Sequence, residues 1–355
     1  MMRRWLLTLG LLALGWQQGV WALPFSPGDR LEVSIPNEKY FAGVYVVNQV
    51  GVIEVPFLGP VAVEGLESAA VEEKLHQLLT DQGYFPPDKL QLSVQVLQWA
   101  PVQVTVAGEV FQPGRVLIEN PGEPSNEITV PPESQSVTGD YPFWRYGINA
   151  LRAVGGVLPT ADVANIVVQR GEEEIPLDLS GVFTGDAVAD IPLMAGDRLV
   201  VPSTGQVQPA LARPSQITPP GIKVFISNLT VPANSNATSA VGNQQEGITF
   251  PYGARFSQAV VAANCVGGTA NVNANRRAIL VRVDTASGAT LVTEKPVEEL
   301  VRNSHSNTDN PLLMPRDAIA CYDSGMTNTR DIFRSITDLL SPLDPFLIFR
   351  NLFFR

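Results

Sequence analysis

Phe25-Ser-Pro-Gly-Asp-Arg-Leu-Glu-Val33 decides how the rest of this chain is read, because its ending recurs. Ala195-Gly-Asp-Arg-Leu-Val-Val-Pro202 repeats it, and Pro315-Arg-Asp-Ala-Ile-Ala-Cys321 is a degraded third copy. Each reads as a tight Gly/Asp turn feeding an apolar strand, the closing edge of a small β-rich module. Asp29, Asp197 and Asp317 are expected to bond their own turn backbones, with subunit contacts as the alternative. A second repeat lies between these turns. Val154-Gly-Gly156 precedes Ile166-Val-Val-Gln-Arg170, and Val266-Gly-Gly268 precedes Ala278-Ile-Leu-Val-Arg282, with 14 positions from the second Gly to the Arg in both. Such repetition predicts a chain of related binding or assembly modules rather than one catalytic domain.

At 355 residues the chain has room for two or three domains, each with its own core. Only 17% of residues are charged, while Gly and Pro number 29 each, a balance that favours short strands joined by turns. The N-terminus reads as an export signal over residues 1–22: Arg3-Arg4, an apolar run from Trp5 to Gly15, and a cleavage site at Val20-Trp-Ala22. No Cys stands near that site for lipid attachment. Without Arg3 and Arg4, 22 basic residues face 35 acidic ones, a net charge of −13. So acidic a chain with no basic stripe argues against nucleic acid and anionic lipid as partners.

The expected fold class is α+β. Leu31 to Ile35 reads as a strand, and Val44 to Val63 as a meander in which Pro56 marks an edge or bulge. Ser68 is the expected cap of a helix to Gln82, with Val71, Leu75, Leu78 and Leu79 on one face. Leu90, Leu92, Val94 and Val96 alternate with polar residues as a strand wet on one side, and Val102, Val104 and Val106 resume the alternation. Pro113-Gly114 turns the next pair of strands. Glu119–Pro142 and Asn228–Gly247 are polar insertions at matching places in two modules. A helix from Trp144 to Val154, and one capped by Ser257 running to Cys265, each lead into a Gly pair that ends them. The expected divisions are a signal at 1–22, modules at 23–100, 101–203 and 222–325, a Pro-rich linker at 204–221, and a C-terminal amphipathic segment at 326–355.

Taken together, these residues resemble the outer-membrane polysaccharide export (OPX) family of Gram-negative bacteria. The first module looks like its polysaccharide export domain, through Ser26-Pro-Gly-Asp-Arg-Leu31, Gly51-Val-Ile-Glu-Val-Pro-Phe-Leu-Gly59 and the helix that follows. The two later modules look like the family's soluble-ligand-binding (SLBB) β-grasp domains, opened by Val106-Ala-Gly-Glu-Val-Phe-Gln-Pro-Gly114. The long insertions resemble those of cyanobacterial members. The resemblance implies a homo-oligomeric ring at the outer membrane, most of the chain periplasmic, carrying capsular polysaccharide or exopolysaccharide through its lumen. It also implies an inner-membrane polysaccharide copolymerase docked beneath. A soluble periplasmic ligand-binding or scaffold protein without a pore is the alternative, and a glycan-processing enzyme a further one.

The chemistry-bearing residues are sparse. His76 and His305 have no ligand-type residue at metal spacing, so no metal and no cofactor are expected. No Gly-x-Ser-x-Gly elbow, Walker loop or dinucleotide Gly-x-Gly-x-x-Gly occurs, and Glu172-Glu-Glu174 reads as solvated charge, so no catalytic residue is assigned. Trp144, Arg145 and Tyr146 form an aromatic-basic cluster suited either to stacking on a sugar ring or to packing under the preceding loop. Cys265 aligns over Ala153 by the Gly-pair offset and Cys321 over Val201, both apolar positions on one expected core, so a disulfide is expected in an oxidising compartment. From Asp331, Ile332, Ile336, Leu339, Leu340 and Leu343 recur at helical spacing. Phe346, Leu347, Ile348, Phe349, Leu352, Phe353 and Phe354 follow Pro345 as the expected membrane contact. That last piece is about 15 Å long as a helix, half of a bilayer core of roughly 30 Å. It either dips into the membrane or joins the preceding helix as a stave, or packs back on the third module.

Overall fold

The computed structural model describes residues 23–120, 142–228, 247–266, 276–283, 288–303 and 306–323. The expected signal, both polar insertions over most of their length, Gly267, Gly268, His305 and the whole C-terminal segment lie outside the described residues. The chain divides into two compact units. The first takes residues up to Gln103 with Leu117–Gly147 and Ile191–Gly196; the second takes Val104–Val116, Ile148–Asp190 and everything from Asp197. Segment 142–147, expected within the second module, is thus part of the first unit.

In the first unit β1 (Arg30–Ser34) is the centre of a three-stranded antiparallel sheet, flanked by β2 (Gly43–Val46) and β5 (Ser93–Gln98). Its alternation sends Leu31 and Val33 into the core, and Leu31 pairs Tyr45 on one side and Val96 on the other. β3 (Val52–Val55) and β4 (Gly59–Ala62) form a separate hairpin, and Pro56 sits in its turn, where the missing N–H costs no ladder bond. Helix α1 (Ser68–Asp81) buries Val71, Leu75 and Leu79, each contributing about 1.5–3 kcal/mol. Ser68 is its first residue and not its cap. Glu67 holds the cap position without a side-chain bond. β5 starts at Ser93, later than the alternation suggests, because Leu90 to Leu92 lead into the sheet without pairing in it.

Two five-stranded sheets are built mostly from residues of the second unit. The first uses β6 (Val102–Gly108), β7 (Gly114–Ile118), β8 (Ile166–Arg170), β9 (Glu173–Leu177) and β10 (Arg198–Val201), in the order β7-β6-β10-β8-β9. The second uses β11 (Gly221–Asn228), β12 (Ile248–Pro251), β13 (Arg276–Val283), β14 (Thr290–Pro296) and β15 (Ala318–Asp323), in the order β12-β11-β15-β13-β14. The two orders are the same five positions apart. In each, the strand that opens the module lies parallel to the one that closes it: Val106 pairs Leu199, and Ile226 pairs Ile319. A parallel pair needs a crossover long enough to hold helices. Those are α2 (Gly147–Ala153) and α3 (Gly181–Thr184) in one module, α4 (Phe256–Ala262) and α5 (Val297–Arg302) in the other.

The helix ends correct the expected register. Gly156 N–H bonds the Leu151 carbonyl and Cys265 N–H bonds the Val260 carbonyl, so Cys265 is the counterpart of Gly156 and not of Ala153. Gly155 has φ +82° and its counterpart Asn264 has φ +55°, Asn being the side-chain-bearing residue that best tolerates that region. α4 therefore ends three residues before Cys265, and its cap is Arg255 rather than Ser257. Ser257 instead bonds the buried Asn310 in both directions: its N–H donates to Oδ1 (2.8 Å) and its Oγ accepts from Nδ2 (2.9 Å).

Candidate functional site

The three repeated turns share one construction. Gly28 N–H bonds Val47, Gly196 N–H bonds Gln103, and Arg316 N–H bonds Lys223, each to a carbonyl at 2.7–2.9 Å. The Asp that follows is buried in every copy: 0% exposed for Asp29, 2% for Asp197 and 1% for Asp317. Asp29 accepts from the Ser26 N–H (2.7 Å) and Asp317 from the Met314 N–H (2.8 Å), the expected backbone bond. Each carboxylate also grips an arginine side-on. Arg170 donates to Asp197 at 3.1 and 2.7 Å, and Arg282 donates to Asp317 at 2.9 and 2.7 Å. These are the arginines that end the 14-position repeat, marked by the sequence but not paired with the turns.

Asp29 takes its arginine from far away. Arg145, 116 positions on, donates Nη1 to Oδ2 at 3.3 Å and a second bond from Nη2 to Oδ1. Its Nε donates to the Ala100 carbonyl at 3.0 Å, while the Ala100 N–H donates to Asp29 Oδ1 at 2.8 Å. The guanidinium carbon lies 5.0 Å from the Trp99 ring centre and 5.4 Å from that of Trp144, a double cation–π contact. Trp99 in turn stacks on Phe25, centroids 5.8 Å apart. Both members of the ion pair are fully buried. Burial pushes the Asp29 carboxyl above its ordinary value, against the pull of Arg145 and the Ser26 and Ala100 N–H groups. Burial also lowers Arg145, opposed by Asp29, but a guanidinium retains its proton in such a pair.

This placement decides the aromatic-basic cluster. Trp144 is 6% exposed and its ring packs against the guanidinium, so its surface is spent inside the unit. Tyr146 is half-buried and bridges Pro192. Trp144 is thus closed as a stacking platform for a sugar, while Tyr146 keeps part of its surface exposed. Sequence had no signal for the Asp29–Arg145 pair beyond the odd placement of an Arg between two aromatics.

Cys265 and Cys321 are joined as a disulfide with Cα atoms 6.0 Å apart, both fully buried in the core of Phe256, Val260, Leu280, Leu300 and Ile319. His76 lines an open hollow of about 410 Å³ with Glu72, Glu73 and Ser93. Glu72 there accepts the Val94 N–H at 3.2 Å. Glu173 and Glu174 lie on β9, and Glu174 accepts from Gln169 at 3.1 Å across the hairpin. Among the described residues, no group of three or more His, Cys, Asp or Glu converges as a metal site, and no helix is long and apolar enough to cross a membrane.

Residues 21–97 match the family model described as Polysaccharide biosynthesis/export protein. The match covers the first Gly/Asp turn, the three-stranded sheet through Leu97, the β3–β4 hairpin and α1. It stops before Arg145 and before both five-stranded sheets. No curated protein matches the chain.

Proposed function

We propose that this protein is a subunit of an outer-membrane polysaccharide exporter, a homo-oligomeric conduit with most of each chain in the periplasm. The match over residues 21–97 carries the proposal. Two sheets of identical strand order following that segment support it, as modules 101–203 and 222–325 of the SLBB β-grasp type, joined by the linker 204–221. The mechanism is passage without bond chemistry. A long polymer moves only if no site holds it tightly, so weak neutral contacts line its path and the acidic chain repels anionic glycans elsewhere. An inner-membrane copolymerase is the expected partner beneath the ring. Segment 326–355, with Phe346 to Phe354 as its apolar end, is the proposed membrane contact.

The test is deletion of residues 341–355 in a host that exports a surface polymer through this protein. The truncated chain is expected to leave the outer-membrane fraction, remain folded in the periplasm and stop export. Rings in negative-stain images of the detergent-extracted full chain are the second expected result. Sedimentation of the truncated chain with outer membranes refutes the anchor. A soluble monomer in place of rings makes the protein a periplasmic scaffold.

A further inference from the structure

The first unit carries an aromatic cluster unrelated to the Asp29–Arg145 pair. Phe41 is buried, at 6% exposure, and three aromatic rings surround it: Phe57 with centroids 6.1 Å away, Tyr84 at 5.0 Å and Phe85 at 5.8 Å. Tyr40 meets Phe57 edge to face at 6.3 Å. Tyr40 and Phe57 are each 70% exposed and Tyr84 43%. Large rings are normally withdrawn from water, and a contiguous exposed group of them marks a binding surface.

Phe57 is held there against its backbone preference. Val55-Pro-Phe-Leu58 is a turn closed by the Leu58 N–H on the Val55 carbonyl (3.2 Å), and Phe57 follows the Pro with φ +65°. That position favours Gly or Asn. The same unit contains the same turn with the favoured residue: Ile35-Pro-Asn-Glu38, closed at 3.2 Å, with Asn37 at φ +60°. An exposed Phe in the left-handed region neither fills a core nor eases a turn. Strain of this kind, held in place by its surroundings, gathers at ligand sites. The Tyr84 hydroxyl donates to the Phe57 carbonyl (3.4 Å), and the Tyr45 hydroxyl donates to the Phe41 carbonyl (2.8 Å), fixing the cluster from both sides.

We propose that Tyr40, Phe57 and Tyr84 form a glycan-stacking shelf that contacts the polymer in transit; the assignment rests on the exporter function proposed above. The apolar C–H face of a pyranose packs on an aromatic ring, and tyrosine hydroxyls serve its hydroxyl groups. Beside the shelf, Glu38 Oε1 accepts the N–H groups of Lys39 and Tyr40, both at 2.7 Å, which fixes the backbone that carries Tyr40. Stacking itself asks only for an apolar sugar face, so both a neutral and a uronate sugar serve as probes. All the shelf residues lie inside the segment matched to polysaccharide biosynthesis/export proteins.

The experiment is saturation-transfer NMR on the full mature chain with cellohexaose and with an alginate hexasaccharide. Transfer to ring protons of at least one probe is expected. Phe57→Gly removes one ring while supplying the residue the turn favours, so it is expected to fold with an unchanged or higher thermal midpoint and to bind about tenfold more weakly. Tyr40→Ser is expected to act in the same direction. No transfer from either probe, or wild-type affinity in Phe57→Gly, overturns the shelf. So does a change in oligomer size with sugar binding intact, since β2 exposes Val44 and Val46 and a second copy would then be the occupant. Wild-type protein that binds a probe yet restores no export sinks the exporter function and leaves the shelf standing.

Discussion

Arg145→Met keeps most of the side-chain volume and removes the charge, which isolates the electrostatic role of the residue. Asp29 would then be a fully buried carboxylate with only the Ser26 and Ala100 N–H groups to hold it, at 2.7 and 2.8 Å. Removing one partner of a buried pair costs about 3–5 kcal/mol, because the other charge is left uncompensated. Loss of the cation–π contacts to Trp99 and Trp144 adds on the order of 1 kcal/mol. The destabilisation should depend on pH in a defined direction. With Arg145 gone, burial raises the folded-state pKa of Asp29 further above the unfolded value near 3.8. A raised acid pKa favours the fold below the unfolded value, and that contribution is lost as pH rises through the folded one. The variant should therefore lose more stability at neutral pH than in mild acid. Trp99 and Trp144 are the only tryptophans outside residues 1–22, so fluorescence-detected urea unfolding of a chain starting at Leu23 reports this cluster directly. Arg145→Met with Asp29→Leu should recover part of the loss. A shift under about 1 kcal/mol, or one equal across pH 4.5 to 8, would refute the assignment of a stability-bearing buried pair.

Two further outcomes follow from the repeats. Arg316 is exposed and has φ +69° where the other two copies have Gly28 at +95° and Gly196 at +88°. Arg316→Gly is therefore expected to raise the urea midpoint by the equivalent of about 0.5–1 kcal/mol, and a lowered midpoint would count against strain at that turn. The Cys265–Cys321 bridge spans 56 positions, so its replacement by two serines is expected to cost on the order of 4 kcal/mol in the chain-entropy treatment. Thiol labelling of denatured, unreduced protein checks the bond itself, and two reactive thiols per chain would disprove it.

Short-range chemistry made much of this fold legible. The Gly/Asp turns and the period-two runs at Leu31 and Val94 each act over a few residues and stand close to where their patterns place them, whereas Gly114 opens β7 and the bend falls at Phe111 and Gln112. The helix ends were less legible. Gly267-Gly268 looked equivalent to Gly155-Gly156, but Asn264 does the work of Gly155, and a repeat aligned on glycines slips by three. Asn in the left-handed region leaves no sign that a pattern of Gly pairs can catch. The carboxylate partners were not legible at all. Arg170 and Asp197 are 27 positions apart, Arg282 and Asp317 are 35, and Arg145 and Asp29 are 116, and nothing local ties either end to the other. The same limit applies to Phe57, whose exposure follows from a turn that its own residue type disfavours.

The three carboxylate–arginine pairs differ in a way that bears on how the chain is assembled. In the two later modules the arginine comes from the strand beside the Asp strand, so each pair closes within its own sheet and remains partly wet: Arg170 is 19% exposed and Arg282 27%. Each keeps its arginine partly solvated over a buried carboxylate, so breaking one costs less than breaking a pair that is dry on both sides. In the first module no strand supplies an arginine to Asp29. The turn is completed by Arg145 from beyond β7, and the result is dry on both sides. The segment that matches polysaccharide biosynthesis/export proteins ends at residue 97, so it contains the buried carboxylate without the cation that balances it. Its folding is therefore tied to residues 142–147 of the same unit. A carboxylate that burial makes costly when unpaired thus makes residues 142–147 part of the first unit's core.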